Sequence, residues 1–227
     1  MNAEDRAVRL SAVDPATLRL LREELVAISR RGYDRGLVAG VSGNNSIRIP
    51  GSDLVLIKTT GCCQGDMDTA DTVVISMDGE VLEPGKTPSK EWRWHTAIYL
   101  VRPDVGAVVH LHPPHCVAFA VANRVPMIVH TAARGHVRRI EMVDLLPAGS
   151  PELAEVITSM FSDGELRVAL MREHGAISVG PDLRTAYFRT EYLEDNAKVA
   201  ILATLVNAMP PEDHIKLAED HAPFAED

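Results

Sequence analysis

Short apolar runs that follow one another through tight turns constrain this chain more than any other feature. Ser46 to Ile49 and Leu54 to Ile57 flank Pro50-Gly51, and Val73 to Ser76 and Glu80 to Leu82 flank Asp78-Gly79. Val168 to Met171 and Ala176 to Val179 flank His174-Gly175. Each pair reads as two strands joined by a hairpin, which forces antiparallel pairing. Helical segments lie between the pairs. Asp14-Pro15 is an N-cap followed by proline at the first helical position, and Leu18, Leu21, Leu25 and Ile28 then recur at helical spacing up to Gly32 and Gly36. Ser89 is expected to open a helix to Val101, Pro114 one to Ala122, Ser150-Pro151-Glu152 another, and Leu183 a long one to Asn207. Ala107 to His112 and Met127 to His130 read as further strands. Hairpins interleaved with helices predict an α/β fold, a mixed and mostly antiparallel sheet covered on both faces.

The chain has 227 residues, enough for one domain with a substantial core, and no linker or repeat divides it. Residues 1–13 are expected to be loose and 208–227 to form an acidic tail. The formal net charge is −9, which argues against a nucleic-acid partner. A small anionic substrate must therefore meet a local gathering of positive groups. No apolar run approaches a membrane span, and the start, MNAEDRAVRL, lacks the form of a secretory signal. Cys62, Cys63 and Cys116 make an odd and sparse set, unlike a disulfide framework, so a cytoplasmic location is expected.

Two groups of residues carry chemistry. In Val108-Val109-His110-Leu111-His112, strand periodicity puts both imidazoles on one face, where they can share a cation. His174, aimed by the turn at Gly175, is the candidate third ligand. His115 follows two prolines and is expected to point elsewhere. Three histidines leave a metal with an open position, and a bound cation polarises a carbonyl and stabilises an enolate or enediolate. Spacing alone leaves open that these are ordinary core or surface histidines. Glu91 is the candidate base, although a carboxylate at a helix start also has a purely structural use. The second group is the glycine- and amide-rich turn at Gly40 to Ser46, the Thr59-Thr60-Gly61 turn, and Ser89-Lys90 before a helix. Together these could cradle a phosphate or carboxylate, with Lys90 as the obvious local positive charge.

Five segments in order, GVSGNNSIR (40–48), KTTG (58–61), PSKE (88–91), VVHLHPPHCVAFA (108–120) and REHGAISVG (172–180), resemble the class II aldolase/adducin family and its fuculose-phosphate aldolase-like members. The resemblance covers roughly residues 16 to 207. It implies a three-layer α/β/α sandwich around a nine-stranded, mostly antiparallel sheet, and a homotetramer with active sites at subunit interfaces. His110, His112 and His174 then match the ligands of zinc, or of another divalent metal such as manganese or cobalt. Glu91 matches the acid that approaches the metal and serves as base, and Asn44, Thr60, Gly61 and Ser89 match the phosphate-holding positions.

The implied activity is metal-dependent aldol cleavage of a ketose 1-phosphate or related hydroxy-ketone through an enediolate. Three positions depart from the family. Lys90 replaces a second serine, Glu173 replaces an asparagine, and Thr131 stands where the aldolases have a proton-donating tyrosine. These departures keep decarboxylation on the same site as the alternative, with dehydration, epimerisation and a non-catalytic adducin-like module behind it. The adducin-like members have lost metal ligands, whereas this chain keeps all three histidines and Glu91.

Overall fold

A computed structural model describes residues 3–205. Its order is α1 (Ala3–Ser11), α2 (Pro15–Asp34), β1 (Asn44–Arg48), β2 (Leu54–Lys58), β3 (Thr72–Ser76), α3 (Trp92–Val101), β4 (Ala107–Leu111), α4 (Pro114–Val121), α5 (Thr131–Val137), β5 (Ile140–Val143), α6 (Pro151–Phe161), β6 (Val168–Met171), β7 (Gly175–Gly180) and α7 (Leu183–Leu205). The strands form one sheet in the order β3-β2-β1-β4-β7-β6-β5. Every neighbouring pair is antiparallel except β5 and β6, which run parallel. The expected α/β sandwich is therefore present.

Strand alternation sorts the core into two faces. Leu56, Val109 and Leu111 pack with Leu25 and Ile28 of α2 and with Tyr187 of α7. On the same side, farther along the sheet, Leu170 and Ala176 meet Cys116 of α4, Val137 of α5 and Leu193 of α7. Val55, Ile57, Val108, Ala169 and Ile177 point the other way, into Trp94 and Ile98 of α3 and Ile157 and Phe161 of α6. Removing each of the Val, Leu, Ile and Phe side chains from water contributes about 1.5 to 3 kcal/mol. Two expected helix starts are built as the sequence suggests. Asp14 accepts the Thr17 backbone N–H at 2.9 Å, and Ser150 accepts that of Leu153 at 3.1 Å.

Other expectations are corrected. Ala3–Ser11 is a helix rather than a loose leader, with Leu10 and Val13 packed on the core and Arg9 paired to Asp53 at 2.5 Å. The helix expected to open at Ser89 begins at Trp92, with Glu91 in the cap position. Met127–His130 is not a strand, because its backbone is claimed by a side chain. Asn196 of α7 accepts the Val129 N–H and donates to the Met127 carbonyl, both at 2.8 Å. Glu80–Leu82 folds back on β3 but makes only an isolated bridge between Ile75 and Val81. The sheet among the described residues thus has seven strands rather than nine. One of them, β5, follows a helix, α5, and neither was expected. Asn207 and residues 208–227 lie outside the described residues. No described helix is long and apolar enough to cross a membrane.

Candidate active site

His110 sits near the end of β4, fully buried on the α3 face, and His112 lies just beyond the strand, its N–H held by the Leu37 carbonyl at 2.9 Å. His174 occupies the β6–β7 turn, its N–H bonded to the Met171 carbonyl at 3.0 Å. The three rings form a nearly equilateral triangle, with centroids 4.8, 4.9 and 4.9 Å apart. One nitrogen from each lies within 4.8 Å of the others. His110 Nδ1 lies 3.0 Å from the Ala176 carbonyl, which can only accept. Nδ1 therefore carries the proton and Nε2 is left bare toward the triangle, as ligation requires. That Nε2 is 3.1 Å from His112 Nε2. Two lone pairs at this distance need a shared proton or a cation, and tetrahedral zinc would hold such nitrogens about 3.3 Å apart. Gly175 makes room for the cluster: a Cβ there would fall 2.7 Å from His112 Cδ2 and 3.1 Å from His110 Cε1.

Glu91 closes the group. Its Oε2 lies 3.3 Å from His110 Nε2 and its Oε1 3.8 Å from His174 Nε2. Oε1 is buried and accepts no hydrogen bond, an orphaned acceptor turned to the imidazoles. A buried carboxylate oxygen without a donor, beside bare ring nitrogens, fits a divalent cation. Burial pulls the Glu91 carboxyl up, but His110, the Asn44 hydrogen bond, His174 and His112 outweigh it and hold the group below its ordinary value. Burial also lowers the His112 and His174 imidazoles, with help from His110. His112 falls to about 3 and His174 to about 4, although Glu91 draws both upward.

Behind Glu91 runs a buried chain of hydrogen bonds. Asn44 Nδ2 donates to Glu91 Oε2 at 2.7 Å, because a carboxylate can only accept. Asn44 Oδ1 then faces His95 Nε2 at 2.5 Å, which must be the protonated nitrogen. His95 Nδ1 accepts from Ser46 Oγ at 2.7 Å, and Ser46 meets the Tyr99 hydroxyl at 2.8 Å. Asn44 thus links the carboxylate to His95, one Nδ2 hydrogen and the amide oxygen being engaged. His95 was not anticipated, although it follows Glu91 by one helical turn.

The segments expected to cradle an anion do converge. Thr60 N–H donates to the Thr87 carbonyl and Ser89 N–H to that of Lys58, both at 3.0 Å, and Thr59 bridges to Pro88. Lys58 Nζ reaches the Val41 carbonyl at 3.3 Å, and Gln64 reaches the Ser42 carbonyl at 3.2 Å. Thr60 and Gly61 are exposed at the turn, Gly61 at φ +75, while Ser89 is buried. Lys90 is exposed and makes no ion pair or hydrogen bond among the described residues. Lys58 is instead the buried cation, at 2% exposure. Burial lowers its pKa, and Cys62, Cys63 and Asp71 draw it back up. Its signal in the sequence was a lysine ending an otherwise apolar strand. Arg134 lies on α5, across the sheet from α3, and does not join this group. His115 points away, as expected, to Glu194 at 2.7 Å.

Residues 23–201 match the Class II Aldolase and Adducin N-terminal domain. The chain belongs to this family. It is 35% identical to the L-fuculose phosphate aldolase of Methanococcus vannielii over 177 residues, 78% of this chain and 93% of that one. It is 31% identical to the 3-oxo-tetronate 4-phosphate decarboxylase of Haemophilus influenzae over 183 residues, 78% of this chain and 85% of that one. Among solved structures, YgbL of Escherichia coli, described as an aldolase/epimerase/decarboxylase, superposes with a TM-score of 0.76 at 27% identity, covering 82% of this chain and 90% of that one. An L-fuculose 1-phosphate aldolase shares the fold, with a TM-score of 0.77 at 24% identity, covering 88% and 94%. The aldolases and decarboxylases of this family are lyases, class II aldolases depend on a divalent metal, and the histidine cluster suits one.

Proposed function

We propose that the chain is a divalent-metal-dependent carbon–carbon lyase, an aldolase cleaving a ketose 1-phosphate or a related hydroxy-ketone. The observation that carries this reading is Glu91, ionised and buried, with an unpartnered oxygen against three converging imidazoles. His110, His112 and His174 would hold zinc, manganese or cobalt. A cation held there supplies the Lewis acid that offsets negative charge on the substrate as the carbon–carbon bond breaks. Glu91 takes a proton from a substrate hydroxyl and returns one to carbon, and Asn44 keeps the carboxylate pointed at that task. Thr60, Gly61 and Ser89 hold the phosphate, and Lys58 beneath them supplies the positive charge that an acidic protein otherwise denies an anion. Lys90 stands at the rim.

The second reading is decarboxylation of a phosphorylated oxo-acid on the same site. It is favoured by Thr131, exposed at the start of α5 where the aldolases carry an acidic tyrosine, and by the decarboxylase among the relatives. The working unit in either case is a cytoplasmic homotetramer of single-domain chains.

A panel of ketose 1-phosphates and phosphorylated 3-oxo-acids, with aldehyde and carbon dioxide both monitored, tests the assignment. Aldehyde release supports the aldolase, and carbon dioxide alone moves the enzyme to the second reading. Glu91→Gln should cost about 100- to 10,000-fold in turnover while keeping the metal. A Glu91→Gln enzyme at full rate would remove the proposed base.

A further inference from the structure

Glu91, His95 and Tyr99 succeed one another at four-residue intervals on one face of α3, with Glu91 in its cap position. Asn44 and Ser46 alternate onto one face of β1. Four helical residues rise about 6 Å and two strand residues about 6.8 Å, so the two rows run in step. The five side chains interleave across the contact, helix and strand by turns, and all are buried.

Their hydrogen bonds run in one direction. The carboxylate only accepts, so Asn44 presents Nδ2 to Glu91 and Oδ1 to His95, and Oδ1 requires a protonated Nε2. Burial, with His110, holds the His95 imidazole well below its ordinary 6.5, so the ring is neutral and its Nδ1 is left as an acceptor. Ser46 gives its hydroxyl hydrogen to Nδ1 and must take one from Tyr99, whose phenol burial pushes above its ordinary value. Every donor points toward Glu91, and such chains strengthen their own links. Trp94 stacks on the His95 ring at 3.9 Å and holds its plane. The reverse orientation of the Asn44 amide has the same shape, but it would set Oδ1 against the carboxylate and Nδ2 against the Nε2–H. At the far end Tyr99 lies in the core with Ile98 and Phe161, so the chain has no outlet to water. It orients a group rather than conducting a proton.

We propose that His95 is a positioning residue for the reaction: its Nε2–H locks the Asn44 amide, Asn44 grips Glu91 through Oε2, and Oε1 is the oxygen that takes a proton from the substrate and returns it. This rests on the reading of Glu91 as the base. Oε1 is the orphaned acceptor, 3.8 Å from His174 Nε2, whereas Oε2 is held by Asn44 at 2.7 Å. A carboxylate free to turn would exchange its two oxygens, and misplacing a reacting group by about 1 Å costs on the order of 100-fold in rate.

The test uses full-length, zinc-loaded protein. In nitrogen NMR of the histidine rings, the ring whose signals disappear in His95→Gln should show a protonated Nε2 and a bare Nδ1 in the wild type. His95→Leu removes the donor and should lower kcat about 100-fold, with KM and metal content nearly unchanged. His95→Gln returns an N–H to Asn44 and should recover most of the rate, although it loses the same stacking on Trp94. If His95→Leu does not fold, Ser46→Ala carries the expectation: with Nδ1 unheld, both tautomers appear in the spectrum and kcat falls. A protonated Nδ1 in the wild type overturns the proposal. So does an unimpaired His95→Leu or, where that variant does not fold, an unimpaired Ser46→Ala. Equal losses in His95→Gln and His95→Leu would make the ring purely structural and overturn it as well. When Glu91→Gln is inactive, these outcomes strike the role of His95 alone. Glu91→Gln at full rate strikes the base itself, and this proposal with it.

Discussion

Glu173 and Gly175 flank His174 in one turn, and their backbone demands are opposite. Glu173 sits at φ +56, a conformation that costs an ordinary side chain about 1–2 kcal/mol. Its carboxylate reaches Arg172 only at 3.9 Å and is half exposed, so little offsets the strain. Glu173→Gly should therefore stabilise the protein by up to about 1 kcal/mol, after glycine's own entropic cost, and raise the melting temperature by about 2–4 °C. An unchanged or lower melting temperature would show that the turn carries no such strain. Gly175→Ala should do the reverse, because the new methyl would meet the Leu111 carbonyl at 2.5 Å as well as His112. A loss of about 1–3 kcal/mol and sub-stoichiometric metal by elemental analysis are expected. Full occupancy would mean that the ligands tolerate the crowding. The triad was legible because strand alternation puts His110 and His112 on one side, and the family's motif order added His174. Lys58 and His95 were not, since burial of a charged or polar side chain depends on loops and helices distant in sequence. The hydrogen bond from Asn44 to Glu91 was not legible either, because it joins residues of β1 and the α3 cap that lie far apart in the chain.

Elements were read best where a local signal fixes them. The Asp14 and Ser150 caps and the hairpin turns needed no tertiary information. Errors arose where tertiary contacts overrode local pattern. Asn196 took the backbone of Met127–His130, and packing ordered Ala3–Ser11. One link between elements is also titratable. Glu83 accepts from Arg22 of α2 and from the Val74 N–H of β3, both at 2.8 Å, with Lys86 Nζ at 3.3 Å. Burial pulls this carboxyl up, but these partners prevail and hold it below the ordinary value of 4.5. Its stabilisation is thus present above about pH 4.5 and lost as pH falls through the depressed folded value. Denaturation of wild type and Glu83→Gln should differ most at neutral pH and converge in acid. A gap that stays constant below pH 4.5 would show that the ionised carboxylate contributes nothing there.

At the scale of the molecule, the layered architecture was legible because hairpins and helices alternate along the chain, whereas strand count depended on how the margins of the sheet are finished. Those margins differ. Along β3 the chain doubles back, Ser76 N–H bonding the Glu80 carbonyl and Leu82 N–H that of Val74, both at 2.9 Å. Beyond β5 no described strand follows. There the margin carries charge: Arg139 pairs with Asp163 at 2.7 Å and with Glu141 at 2.9 Å. Free ladder groups on an outermost strand are a template for another chain, and charge placed along it is the usual deterrent. The double change Arg139→Thr and Glu141→Val should leave the native melt nearly unaltered but promote concentration-dependent, thioflavin-positive aggregation on mild heating. If that variant stays as dispersed as wild type, the charges on this margin are not what keeps it apart. The ion pairs around Arg139 would thus act less on the stability of one molecule than on the colloidal fate of many, keeping the last strand from finding a neighbour.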